Sequence, residues 1–333
     1  MTAKVGFCLL FIPMLVSIEI NCYIPNTFIN WSNKVMIYLF IAVLCSVAVS
    51  VLLKVLRQNQ IDIRQTIVAG YPVAFILTGL LLKPDLSTIN DLGSAWGIIL
   101  LLGILLPLVF VILGRAIESV GIIATDAAQR LSLIIPIVAA FALFGEALTL
   151  QRTWGIFLGF LALVALIYRK PETATVNQSI YANPDSANKS GITKKVPVGV
   201  WLLGVWVGYG VIDILFKQVA KQGAAFPLTL FMTFGLAGLL LFVYLLINKT
   251  QWHSKALASG LILGALNMGN IYAYVKAHQV LADSPSVVFT GMNVGVIAVA
   301  TLIGVFAFKE TLSKLNILGI VLAIACVFVL FWG

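Results

Sequence analysis

Residues 141–168 read FALFGEALTLQRTWGIFLGFLALVALIY, and residues 304–331 read GVFAFKETLSKLNILGIVLAIACVFVLF. Glu146 falls on Glu310, Leu148 on Leu312 and Gly155 on Gly319, all at one offset. Each segment runs from an apolar stretch through a short polar break into a second apolar stretch. The match continues towards the start of each copy. Ser50-Val-Leu-Leu-Lys54 parallels Asp213-Ile-Leu-Phe-Lys217, and Arg115-Ala116 parallels Lys276-Ala277. Several anchor points in one order identify two tandem copies of one unit.

The composition says what solvent the units face. Of 333 residues, 61% are hydrophobic and 10% charged, whereas a soluble surface usually needs about a quarter charged residues. Lipid therefore supplies the outer solvent. A spanning helix takes about 20 apolar residues to cross a hydrocarbon layer ~30 Å thick. That ruler predicts ten: Met36–Leu56, Thr66–Leu82, Ala95–Gly114, Gly121–Phe144 and Trp154–Tyr168 in the first copy. The second copy holds Val198–Val219, Pro227–Ile247, Leu257–Val275, Pro285–Phe308 and Leu315–Trp332. The expected fold is all-α and membrane-integral. The chain divides into an extension (1–35), repeat 1 (36–168), a polar basic linker (169–197) and repeat 2 (198–333).

Five helices return the chain to the opposite side, so the second copy enters the membrane inverted. Inverted repeats that rock about a site near the midplane are a recurrent design of secondary transporters. The extension holds a short apolar run, Val5–Ile18, flanked by Lys4 and Glu19. It reads as an extra helix, an uncleaved signal-like anchor, or residues upstream of a true start at Met36.

The motif Ser-Leu-Ile-Ile-Pro … Phe-Gly-Glu-Ala-Leu-Thr … Gly, from Ser132 to Gly155, returns between Gly304 and Gly319 as Val-Phe-Ala-Phe-Lys-Glu-Thr-Leu-Ser … Gly. This pattern resembles the EamA repeat of the drug/metabolite transporter superfamily, over Met36 to Trp332. The resemblance implies ten helices and transport of amino acids, sugars, nucleotide derivatives or drugs, often outward. It is nearly silent on which of these. One departure stands out: Pro136 in the fourth span aligns with Ala300 in the ninth.

Polar residues inside the spans are the candidates for work, because a charge in hydrocarbon is costly and usually faces the bundle interior. Asp126 and Arg130 lie four apart, on one helix face. They form either a packing ion pair or a contact for substrate charge or a coupled proton. Tyr209, Asp213 and Lys217 form a polar stripe in the sixth span, matching Ser46, Ser50 and Lys54 in the first. Asp213 is the expected cavity-lining member, and the lysines are expected to snorkel as anchors near helix ends. Asn267, Asn270 and Tyr274 line one side of the eighth span, with Thr290 and Asn293 in the ninth. Their amides suit a polar ligand or interhelical hydrogen bonds. Tyr71 is expected on the cavity wall beside a kink at Pro72. Glu146 and Glu310 are read as structural caps at helix starts, and Gly155, Gly319 and Pro136 as structural too. Gly204, Gly208 and Gly210 are expected to permit close packing.

The function these features predict is a secondary transporter moving a small polar metabolite by alternating access. No Walker motif points to direct ATP hydrolysis. The competing reading is a membrane-embedded enzyme acting on a lipid-like substrate, which would want clustered acids or histidines. His253 and His278 stand apart, and the four cysteines form no CxxC pair. An enzyme, a metal and a cofactor are therefore not expected. Expected partners are the bilayer, a small-molecule substrate and a candidate coupling proton, in a monomer or homodimer at the cell (inner) membrane. The single basic residues at span ends suit cytoplasmic loops rather than nucleic acid. Basic loops after the first and fifth spans place those loops in the cytoplasm, while the resembling family more often keeps both termini there.

Overall fold

The computed structural model describes residues 29–59, 61–93, 95–120, 122–167, 198–308 and 313–332. The linker 169–197, Glu310 and most of the N-terminal extension lie outside the described residues. The first half contains α1 (Ile29–Gln58), α2 (Ile63–Leu82), α3 (Ala95–Val120), α4 (Ile122–Leu131), α5 (Ile134–Ala142) and α6 (Leu150–Ile167). In the second lie α7 (Val198–Lys221), α8 (Phe226–Ile247), α9 (Ser254–Val280), α10 (Pro285–Phe308) and α11 (Lys314–Trp332). With α4 and α5 forming one span, ten helical stretches are long and apolar enough to cross a membrane. The protein is an all-α, multi-pass membrane protein.

Helix boundaries follow local chemistry. Asp62 accepts the Arg64 amide at 2.9 Å and so caps α2. At α11, the Asn316 amide donates to Ser313 Oγ at 3.1 Å and the Ser313 amide donates to Asn316 Oδ1 at 3.1 Å, a reciprocal box. Met36 sits inside α1 rather than at its start.

The fourth span is the one that breaks. Pro136 has no N–H, so the Ser132 carbonyl cannot receive the usual bond from four residues on. The Ile135 amide takes that carbonyl at 3.0 Å, and the Leu133 amide reaches the Arg130 carbonyl at 3.3 Å, both in tightened turns. This leaves the Leu131 carbonyl without its helical donor. Trp206 of α7 fills the gap, its indole N–H donating to Leu131 O at 3.0 Å. With Ala300 at the aligned position, α10 runs unbroken. Pro72 lies inside α2, which continues through it as one helix.

Packing interleaves the halves. Helix α9 lies against α1 and α2, and α3 lies against α7 and α8. Gly260 and Gly264, in GxxxG spacing on α9, meet Ala69 and Gly70 of α2 backbone to backbone. A methyl group at Gly264 would collide with the Gly70 carbonyl. Helices α6 and α11 run antiparallel with exchanged contacts: Gly155 lies against Leu330, and Gly319 against Leu166. Their polar ties are exchanged as well. Gln151 donates to Val329 O at 2.8 Å, and Asn316 donates to Ala165 O at 3.2 Å. Gly204 and Gly208 admit Ile112 and Val109 of α3, and Gly210 admits Ile135 of α5. Large apolar side chains such as Phe306, 82% exposed, face outward.

Candidate functional site in the middle of the bundle

Two clusters of polar side chains lie in the bundle, at different depths. The first lies within the spans, towards the C-terminal ends of α7 and α9. Asp213 sits well inside α7, and Tyr274 of α9 donates its hydroxyl to Asp213 Oδ1 at 3.0 Å. The Tyr274 ring is braced edge-on by Phe216, with centroids 6.3 Å apart, and by His278 at 4.8 Å. Asn270 lies one turn before Tyr274, and its buried Oδ1 has no hydrogen-bond partner. Tyr209 lies one turn before Asp213. Tyr71 of α2 is within electrostatic reach of Tyr209, and its buried hydroxyl also lacks a partner. Gly238 of α8 leaves the space that the Tyr71 side chain occupies. Helices α2, α7, α8 and α9 thus contribute to one seam.

Other expected members are less directly engaged. Arg130 and Asp126 pair at 3.6 Å, with Asp126 45% exposed and Arg130 13%. Their helix, α4, packs on α7. Among the described residues no hydrogen bond or ion pair joins them to Asp213. Asn267 is half-buried on α9, and among the described residues its side chain makes no hydrogen bond. Asn293 directs its amide to its own helix, at Phe289 O 3.1 Å away. Thr290 keeps a buried hydroxyl without a partner.

The second cluster holds the turn between α9 and α10. Glu146, just past α5, accepts from the Ser286 amide at 2.8 Å and the Ser286 hydroxyl at 2.6 Å. It is therefore a cap, but of α10 in the other half rather than of the α6 that follows it. The position suits a carboxylate, because the first amides of a helix lack partners and carry positive partial charge. Arg152 approaches Glu146 at 3.4 Å and donates to Ser284 Oγ at 2.6 Å and Ala147 O at 3.0 Å. From the other side Lys217 donates to Ala282 O at 2.6 Å, next to the C-terminus of α9. The snorkelling expected of this lysine is corrected here: its side chain is fully buried, 1% exposed. Carbonyls at a helix end attract a cation, and Lys217 finds its partners there, at Ala282 O and His278 O, rather than at the surface.

The comparisons with known proteins bear on this architecture. Over 299 residues the chain is 46% identical to a Haemophilus influenzae protein described as uncharacterized, covering 88% of this chain and 97% of that one. The chain belongs to that protein's family. No family model matches. A crystal structure of a protein 13% identical superposes with a TM-score of 0.63, covering 89% of this chain and 96% of that one, and so shares the fold.

Within this family member, several working residues escaped the sequence reading. Arg152, Ser284, Ser286 and Trp206 sit at helix ends or on an apolar face, where spacing carries no signal. Their partners come from helices distant in sequence. His278 could have been found: it lies four residues after Tyr274, on the same face of α9.

Proposed function

We propose that this protein is a secondary transporter of a small polar metabolite, built as two inverted five-helix repeats of EamA type. The observation that carries the reading is the Asp213–Tyr274 pair inside the spans, beside Asn270 and Tyr71 atoms that lack partners. Polar groups buried in a membrane are ordinarily satisfied within the protein, so unsatisfied ones gathered within the spans mark where a ligand's groups fit. The inverted arrangement is supported by the exchanged contacts of α6 and α11. A further support is the way α9 meets α1 and α2 while α3 meets α7 and α8. Such halves can rock against each other and open the site to one side at a time. The membrane that houses it is the cell's inner membrane, and export is the direction favoured by the family resemblance.

The test compares metabolite profiles inside and outside cells producing the native protein or Asp213→Asn at matched folded levels. The substitution removes charge at nearly constant shape. A metabolite whose distribution depends on the native protein and not on Asp213→Asn supports the reading. Profiles identical between the two contradict it.

A further inference from the structure

We propose that the intramembrane site takes a small organic cation carrying N–H donors, with the Asp213 carboxylate as its counter-charge. The proposal rests on the transport-site reading and narrows it to a substrate class. Two acceptors of the cluster are open to a donor. Asp213 Oδ1 receives the Tyr274 hydroxyl, and among the described residues no other hydrogen bond or ion pair reaches its carboxylate. Asn270 Oδ1 is a second acceptor, buried and without a donor.

The basic residues nearest along the helices are otherwise engaged. Lys217, one turn further along α7, directs its ammonium to Ala282 O at 2.6 Å and His278 O at 3.5 Å. Arg130 pairs with Asp126. The walls are aromatic: Tyr274 across the seam, Tyr209 one turn away on α7, and Tyr71 beyond it on α2. Phenol faces attract cations. An anionic ligand would meet a like charge at Asp213. A neutral donor could satisfy Asn270 yet leave the carboxylate's charge uncompensated in a low-dielectric interior. An ammonium meets both needs, donating to Asn270 and Asp213 while pairing with the charge.

The probe set is phenethylammonium, phenethyl alcohol and phenylacetate, which share one ring and differ in charge. Each is titrated against the full-length purified protein in detergent, with thermal unfolding as the readout. Phenethylammonium is expected to raise the melting temperature, and the alcohol and the acid are not. Asp213→Asn should weaken the cation's apparent affinity about tenfold or more, while Asp213→Glu, which keeps the charge, should retain more of it. Ligand-free melting curves establish that both variants are folded, and a collapsed Asp213→Asn leaves the comparison to Asp213→Glu and the native protein. An equal shift from the alcohol or the acid, an unchanged affinity in Asp213→Asn, or no response to the cation overturns the proposal. Uptake of labelled phenethylammonium and phenylacetate into proteoliposomes separates the two levels of the argument. Cation binding without uptake leaves the amine site standing and removes the transporter reading. Uptake of phenylacetate alone keeps transport and removes the amine.

Discussion

The Glu146 cluster and the Asp213 cluster each hold a carboxylate inside the bundle, Glu146 buried and Asp213 half-buried, and they treat it in opposite ways. Glu146 receives an amide, a hydroxyl and a guanidinium. Asp213 receives one phenol, and the polar atoms around it are left unsatisfied. A buried charge with a full set of partners stabilises the arrangement that supplies them, whereas one with few partners is open to a visitor. The difference separates a structural joint from a binding site, although both residues are acids inside an apolar bundle.

The largest expected effect lies at the joint. Glu146→Ala strips α10 of its cap and leaves Arg152 beside an apolar gap. Removing one partner of such a buried pair costs about 3–5 kcal/mol, which should appear as a marked fall in melting temperature. A melting temperature close to native would show that the joint carries little and would erase the contrast. Gly264→Ala comes next. Its methyl would press on the α2 backbone rather than on a movable side chain, and overpacking of that kind costs about 1–3 kcal/mol. Gly155→Ala should cost less, since the atom in its way is the tip of Leu330. Equal losses at the two glycines would mean that α2 and α9 can part as easily as a leucine can turn.

Lys217→Met keeps the length of the side chain and removes the donor to Ala282 O. An unmade hydrogen bond at a buried carbonyl costs about 1–3 kcal/mol, so the melting temperature should fall by less than in Glu146→Ala. If instead it does not change, the lysine's charge is not what holds the α9–α10 turn. Asp213→Asn is expected to have the smallest effect on stability, below about 1 kcal/mol, because interhelical hydrogen bonds in membranes average that or less. A fall as large as that of Glu146→Ala would make Asp213 a second joint.

The ten spans were legible because length and apolarity are properties of consecutive residues, and the bilayer imposes both. Pro136 against Ala300 also carried readable information, since a missing N–H acts on its own helix. What stayed out of reach was pairing between distant segments. Nothing local in Glu146 says that its amide donor is Ser286, and nothing in Lys217 says that it ends buried beneath Ala282 rather than at the headgroups. Asp213, Tyr274, Asn270 and Tyr71 were readable as intramembrane polar residues. Their gathering on one seam depends on glycines such as Gly264 and Gly238 that let helices approach. The Asp126–Arg130 pair shows the limit: its spacing predicted the bond within α4 and said nothing of which other helix the pair faces.

The central claim is that Asp213 borders water inside the membrane while outward positions face lipid. Reactivity of introduced thiols with a membrane-impermeant cationic methanethiosulfonate tests it without knowledge of the substrate. The background replaces Cys8, Cys22, Cys45 and Cys326, and single thiols are placed by Asp213→Cys and by Phe306→Cys, the latter on the outward surface. The protein is reconstituted in liposomes and the reagent applied to each side in turn. The account predicts modification of Asp213→Cys from at least one side, with Phe306→Cys inert. An Asp213→Cys thiol as unreactive as that of Phe306→Cys from both sides would contradict it.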